Sequence, residues 1–155
     1  MLIVGEENVL ESLEELVIRG FCFHGSSRLI EDKLTPHLAV DDIKESGNRK
    51  AVYLTINPLL AMFTALCGGV DVGKRENKCF MAIEDGEVKY PEIPYFAVEK
   101  TENISDIGYI YVVDRKMAGL DEINGEILSY EPIEPMFAIK IKRGEFRYPI
   151  NKILF

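Results

Sequence analysis

The sequence predicts an α+β fold, helices early and strands late, and three observations carry that prediction. Apolar residues at helical spacing open the chain. A compact apolar run near residue 51 leads straight into a capped helix, and from residue 79 onward the apolar segments become short and are separated by turn residues.

Val9, Leu10, Leu13, Leu16 and Val17 recur at helical spacing among glutamates, so residues 6–18 predict an amphipathic helix that Gly20 stops. The short run "FCFH" follows, ending in His24. "AVYLT" at 51–55 is β-branched and aromatic, as a strand requires. Asn57 and Pro58 then supply a cap and a first helical residue for "LLAMFTALCGG", which ends on a double glycine. The later segments "CFMAIE", "YFAVEK", "GYIYVVD", "EILSY" and "MFAIKIK" predict strands, with "EDGE" and "DEING" as turns between them. In the last of these, Phe137, Ile139 and Ile141 alternate with Lys140 and Lys142, the pattern of a half-buried antiparallel strand. No repeat, low-complexity tract or linker divides the chain, so residues 1–155 are expected to form a single domain with a mainly β C-terminal half.

Composition narrows the function. Hydrophobic residues make up 47% and charged residues 28%, as in a globular chain rather than a disordered one. Asp and Glu outnumber Lys and Arg 26 to 18, a net charge of −8, which counts against a nucleic-acid partner because affinity for a phosphate backbone comes mainly from cations. The opening "MLIVGEENVLESLEELVIRG" has too short an apolar run and too many early glutamates for a signal peptide or membrane span. A cytoplasmic protein with no membrane partner is therefore expected. Cys22, Cys67 and Cys79 are odd in number and sit in apolar runs without C-x-x-C spacing, so they are expected to be buried free thiols, with no metal site.

Three fragments stand out. "FHGSS" puts His24 at a strand end, before Gly25, Ser26 and Ser27; "AVYLTINPLLAMF" puts Tyr53 in a strand that runs into a helix; "GEILSY" opens a strand on Glu126. Taken singly, each has an ordinary structural explanation. Together and in this order, over most of residues 21–142, they resemble the His-Tyr-Glu signature of the ADP-ribosyltransferase superfamily, in the branch of the poly(ADP-ribose) polymerases and diphtheria-type toxins. The link from 68 to 107 matches no motif of that family. His37, after Pro36, carries no pattern and is assigned to the surface.

The resemblance implies split, strongly bent β-sheets with helices. It also implies NAD as co-substrate, with ADP-ribose passing to a protein or small-molecule acceptor and nicotinamide released. Nicotinamide leaves as a neutral molecule from a cationic precursor, so a single carboxylate suffices if it stabilises an oxocarbenium-like ribose. By resemblance, Glu126 is that carboxylate, and His24 holds a hydroxyl of the adenosine ribose, with Ser26 beside it. Gly25 exposes its backbone to the nicotinamide carboxamide, and Tyr53 stacks on the pyridinium ring. Phe63 stands where many relatives have a second tyrosine and would close the stack. Glu131 in "SYEPIEP" is the competing acid, disfavoured because Pro132 breaks the strand pattern.

Two other functions compete with this one. RNA 2′-phosphotransferases share the fold and the strand-end histidine but grip phosphate with several arginines, and apart from Arg28 the chain offers few candidates near the motifs. A non-catalytic binding module could keep the fold and pocket without turnover.

Overall fold

Asn8 starts the first helix, α1 (Val9–Ile18): its side-chain oxygen accepts from Glu11 N–H at 3.1 Å. The helix therefore opens at residue 9 rather than 6, because the cap sits after the glutamates at 6 and 7. It closes where Gly20 takes φ 94°, a left-handed conformation in which its N–H donates to the Val17 carbonyl at 3.1 Å. The second helix, α2 (Pro58–Cys67), has the cap read from the sequence. Asn57 accepts from the N–H groups of Leu59 and Leu60 at 3.0 and 3.2 Å, and Gly68, at φ 77°, terminates it.

The computed structural model describes residues 1–38, 50–68, 77–79, 82–84, 87–89, 96–98, 100–117, 119–123 and 126–152. Among these the chain is α+β, two helices with mostly strands in mixed sheets. The strands are β1 (Ile3–Gly5), β2 (Phe21–Ser26), β3 (His37–Leu38), β4 (Lys50–Leu54), β5 (Asn77–Cys79), β6 (Ala82–Glu84), β7 (Glu87–Lys89), β8 (Phe96–Val98), β9 (Ile107–Asp114), β10 (Leu120–Ile123), β11 (Glu126–Ser129), β12 (Phe137–Lys142) and β13 (Ile150–Lys152). The first sheet has the order β1-β12-β9-β2, with β1 parallel to β12 and the other pairs antiparallel. A second, wholly antiparallel sheet has the order β10-β11-β4-β3. Strands β13-β8-β5 form a small third sheet, and β6 pairs with β7.

Alternation along the strands sorts the apolar side chains into two cores. One face of the first sheet, with Phe23, Ile110, Val112, Ile139 and Ile141, packs against Val9 and Leu13 of α1, the buried side of α2, and Phe96 and Phe146. The opposite face, with Cys22, Tyr111, Val113 and Ala138, shares a second core with Val52, Leu54 and Ile127 of the second sheet. As the spacing predicts, β12 buries Ile139 and Ile141 and exposes Lys140 and Lys142. It also buries Ala138 on its other face, where that residue packs into the second core. No described helix is long and apolar enough to cross a membrane.

Among the described residues the backbones of the two main sheets are bridged at one place. Phe23 of β2 and Thr55, just past β4, exchange backbone hydrogen bonds of 2.8 Å in both directions. Beyond that bridge no further pairing joins β2 to β4 among the described residues.

Candidate functional site at the sheet junction

The junction gathers the three residues singled out in the sequence onto three neighbouring strands. His24 directly follows Phe23, the bridged residue of β2. Tyr53 lies on β4, opposite Leu128 of β11. Ile127 pairs with Leu54, so one step further along the same register Glu126 lies level with Thr55, the partner of Phe23. Tyr53 and Glu126 therefore share one face of the second sheet, since residues 126 and 128 of β11 alternate to the same side. His24, Tyr53 and Glu126 are each half-buried.

His24 lies by alternation on the face of the first sheet that carries Cys22 and Tyr111 and lines the shared core, whereas Tyr53 and Glu126 lie on the face of the second sheet turned away from that core; the His24 ring is 6.4 Å from that of Tyr111. It nevertheless reaches β4, because its Nδ1 lies 2.8 Å from the carbonyl oxygen of Tyr53. A carbonyl only accepts, so Nδ1–H is the donor and the neutral ring has Nε2 as its acceptor nitrogen. One hydrogen bond thus sets the tautomer of His24 and ties the imidazole to the strand that carries Tyr53.

Gly25 has two properties at this point. Because Phe23 turns its N–H and C=O toward β4, alternation turns those of Gly25 to the same edge, where the sheets have separated. On its other side, a Cβ at Gly25 would collide with Thr64 Oγ1 and lie 2.5 Å from Ala61 O and 2.6 Å from Ala65 N. The glycine is therefore required by the close approach of α2, a constraint the sequence reading did not anticipate. Gly108 of β9 serves the same contact, since a Cβ there would overlap the Ala65 carbonyl. A glycine in a hydrophobic segment gives no sign in the sequence of which helix it will meet.

Phe63 is not brought to the junction. It is 2% exposed, and its ring packs 5.0 Å from Phe96 and 6.4 Å from Phe146 in the helix-side core. Ser26 continues β2 opposite Tyr109, and its Oγ accepts from Arg28 N–H at 3.2 Å. Glu131 is exposed, and its backbone carbonyl accepts from Ser129 Oγ at 2.8 Å. Cys22 and Cys67 are both buried, and burial pushes the Cys22 thiol up to about 12. Cys79 and His37 have side chains outside the described residues. Their backbones lie in β5 and β3.

Tyr111 is the residue at this site that the sequence did not reveal. Fully buried opposite His24 in β9, it accepts through its hydroxyl from Ile30 N–H and donates to the Arg28 carbonyl at 3.1 Å. Burial raises its pKa, opposed by the Ile30 hydrogen bond. In "GYIYVVD" nothing separates this tyrosine from an ordinary core residue. A surface groove of about 330 Å³ between Asn8, Leu59, Met62 and Tyr148 lies on the α1 side and includes none of His24, Tyr53 and Glu126.

The fold and junction define an α+β protein with half-buried histidine, tyrosine and glutamate on adjacent strands. No family model, curated protein or solved structure matches the chain.

Proposed function

We propose that this chain is an ADP-ribosyltransferase-like domain, with split and bent sheets, that passes ADP-ribose from NAD to a protein or small-molecule acceptor and releases nicotinamide. The single observation that supports this most is the hydrogen bond from His24 Nδ1–H to Tyr53 O at the edge where the two sheets part. It leaves Nε2 as the acceptor nitrogen, suited to the hydrogen of a ribose hydroxyl. The Gly25 backbone, turned to the same edge, has the donor and acceptor that a carboxamide requires. Tyr53 supplies an aromatic face for a pyridinium cation, and Glu126, on the same face of the next strand, supplies negative charge.

In this chemistry the bond between ribose C1′ and the pyridinium nitrogen breaks, its electron pair neutralising the ring. The nucleophile of the acceptor forms the new bond at C1′ and loses its proton. Glu126 stabilises the positive charge that develops on the ribose and accepts a hydrogen bond from a ribose hydroxyl or from the nucleophile. Phe63, held in the core, has no part in the stack. The test is incubation of the chain with isotopically labelled NAD, following free nicotinamide by chromatography and labelled acceptors by mass spectrometry. Release above that of NAD alone is expected. Binding without release would make the chain a non-catalytic NAD module, and no binding at all would end the proposal.

A further inference from the structure

Arg28 is exposed, yet its backbone is held at both ends. Its N–H donates to Ser26 Oγ at 3.2 Å, and its carbonyl accepts from the Tyr111 hydroxyl at 3.1 Å. The same hydroxyl accepts from Ile30 N–H, so a fully buried tyrosine of β9 clamps residues 28–30 directly behind the His-Gly-Ser segment. A solvent-facing loop needs no such anchor for its own sake, since water can satisfy its backbone groups. The guanidinium has no acidic partner among the described residues, although the chain carries a net charge of −8. A cation on an anchored backbone in an acidic protein, two residues beyond Ser26, is suited to an anionic group.

Resting on the proposed NAD reaction, we infer that Arg28 binds the diphosphate of the dinucleotide and that Tyr111 is the positioning residue that holds it there. Diphosphate carries two negative charges, and a guanidinium can donate two parallel hydrogen bonds to phosphate oxygens. Tyr111 also lies beside His24, so one buried ring sets the backbone of the cation and borders the imidazole proposed to hold the adenosine ribose. The ligand class is a nucleoside diphosphate, and nicotinamide itself makes no use of the clamp.

Calorimetry with NAD, ADP and nicotinamide, on the wild type, Tyr111→Phe and Arg28→Ala, tests this. Arg28→Ala is expected to weaken NAD and ADP by about tenfold or more, through loss of charge-assisted hydrogen bonds, and Tyr111→Phe by a smaller factor, because it releases the backbone and leaves the guanidinium in place, while nicotinamide affinity stays as in the wild type for both. In turnover the loss falls on KM for NAD rather than on the rate at saturation, a split that a merely structural role for Tyr111 would not produce. Faster hydrogen exchange at the Ile30 amide of Tyr111→Phe identifies release of the clamp. If Tyr111→Phe fails to fold, Arg28→Ala decides alone. Wild-type affinity for both NAD and ADP in Arg28→Ala overturns the inference while the proposed reaction stands. A wild type that binds no NAD overturns both.

Discussion

Glu126 carries the enzymatic part of the proposal, and its effect should be confined to the transition state. Glu126→Gln keeps size and removes charge, so nicotinamide release should slow by about two to three orders of magnitude, as loss of one preorganised electrostatic group does, while calorimetry shows NAD affinity nearly unchanged. Fast release by Glu126→Gln with slow release by Glu131→Gln would move the acid to the turn. Tyr53→Ala should instead weaken NAD binding about five- to thirtyfold, by loss of about 1–2 kcal/mol of cation–π stacking; equal affinities would show that Tyr53 makes no stack. Cys22 gives a pH prediction independent of function. Burial raises its pKa from 9.0 to about 12 in the folded chain, so the folded state retains a proton that the unfolded state loses, and this contribution to stability is complete below pH 9 and lost as pH rises toward 12. Replacing it in Cys22→Ala should flatten the fall of unfolding free energy between those values, measured by urea titration, and an unaltered slope would assign the fall to other groups. At this scale the strand positions of His24, Tyr53 and Glu126 were legible because each lies in a run with its own local structure. Tyr111 was not, because its role depends on a loop 81 residues away in sequence.

The helices were legible from their ends, the strands only from their middles. Asn57, Pro58 and Gly68 act on neighbouring backbone groups, so the limits of α2 follow from local chemistry. Strand β1 is three residues long and pairs in parallel with β12, more than 130 residues later, so its three-residue run carried no readable period. The packing of α2 was equally invisible, although it decides why Gly25 and Gly108 are glycine. Gly25→Ala must displace α2, because the new Cβ would meet the helix backbone at Ala61 O and Ala65 N as well as the Thr64 hydroxyl. An overpacking cost of about 1–3 kcal/mol is expected, measured as a lower urea midpoint, whereas Gly5→Ala, with nothing within 4 Å of its Cβ, should stay within about 0.5 kcal/mol of the wild type. A Gly25→Ala protein as stable as Gly5→Ala would show that the helix can retreat freely, and the close packing of α2 on β2 would have no energetic weight.

Across the whole molecule, the α+β class was readable because binary patterning changes along the chain from helical to strand period. The sheet order was not, since β2, β4 and β11 become neighbours through pairings between residues far apart in sequence. Those pairings decide how a ligand at the junction would act on stability. The first and second sheets share one core, but among the described residues only Phe23 and Thr55 bridge their backbones, so loss of that bridge would leave the two sheets joined by side-chain contacts alone. A dinucleotide held by His24 on β2 and by Tyr53 and Glu126 on β4 and β11 would bind the closed arrangement alone. Its binding energy would then appear as folding stability, about 2.7 kcal/mol at a ligand concentration one hundred times Kd. Saturating NAD should accordingly raise the thermal midpoint and slow hydrogen exchange at the Phe23 and Thr55 amides together. Glu126→Gln should keep both effects, and Tyr53→Ala, at the same NAD concentration, should show them reduced. Protection that appears in the first sheet only, with Thr55 exchanging as fast as without NAD, would place the ligand outside the junction and remove Tyr53 and Glu126 from its site.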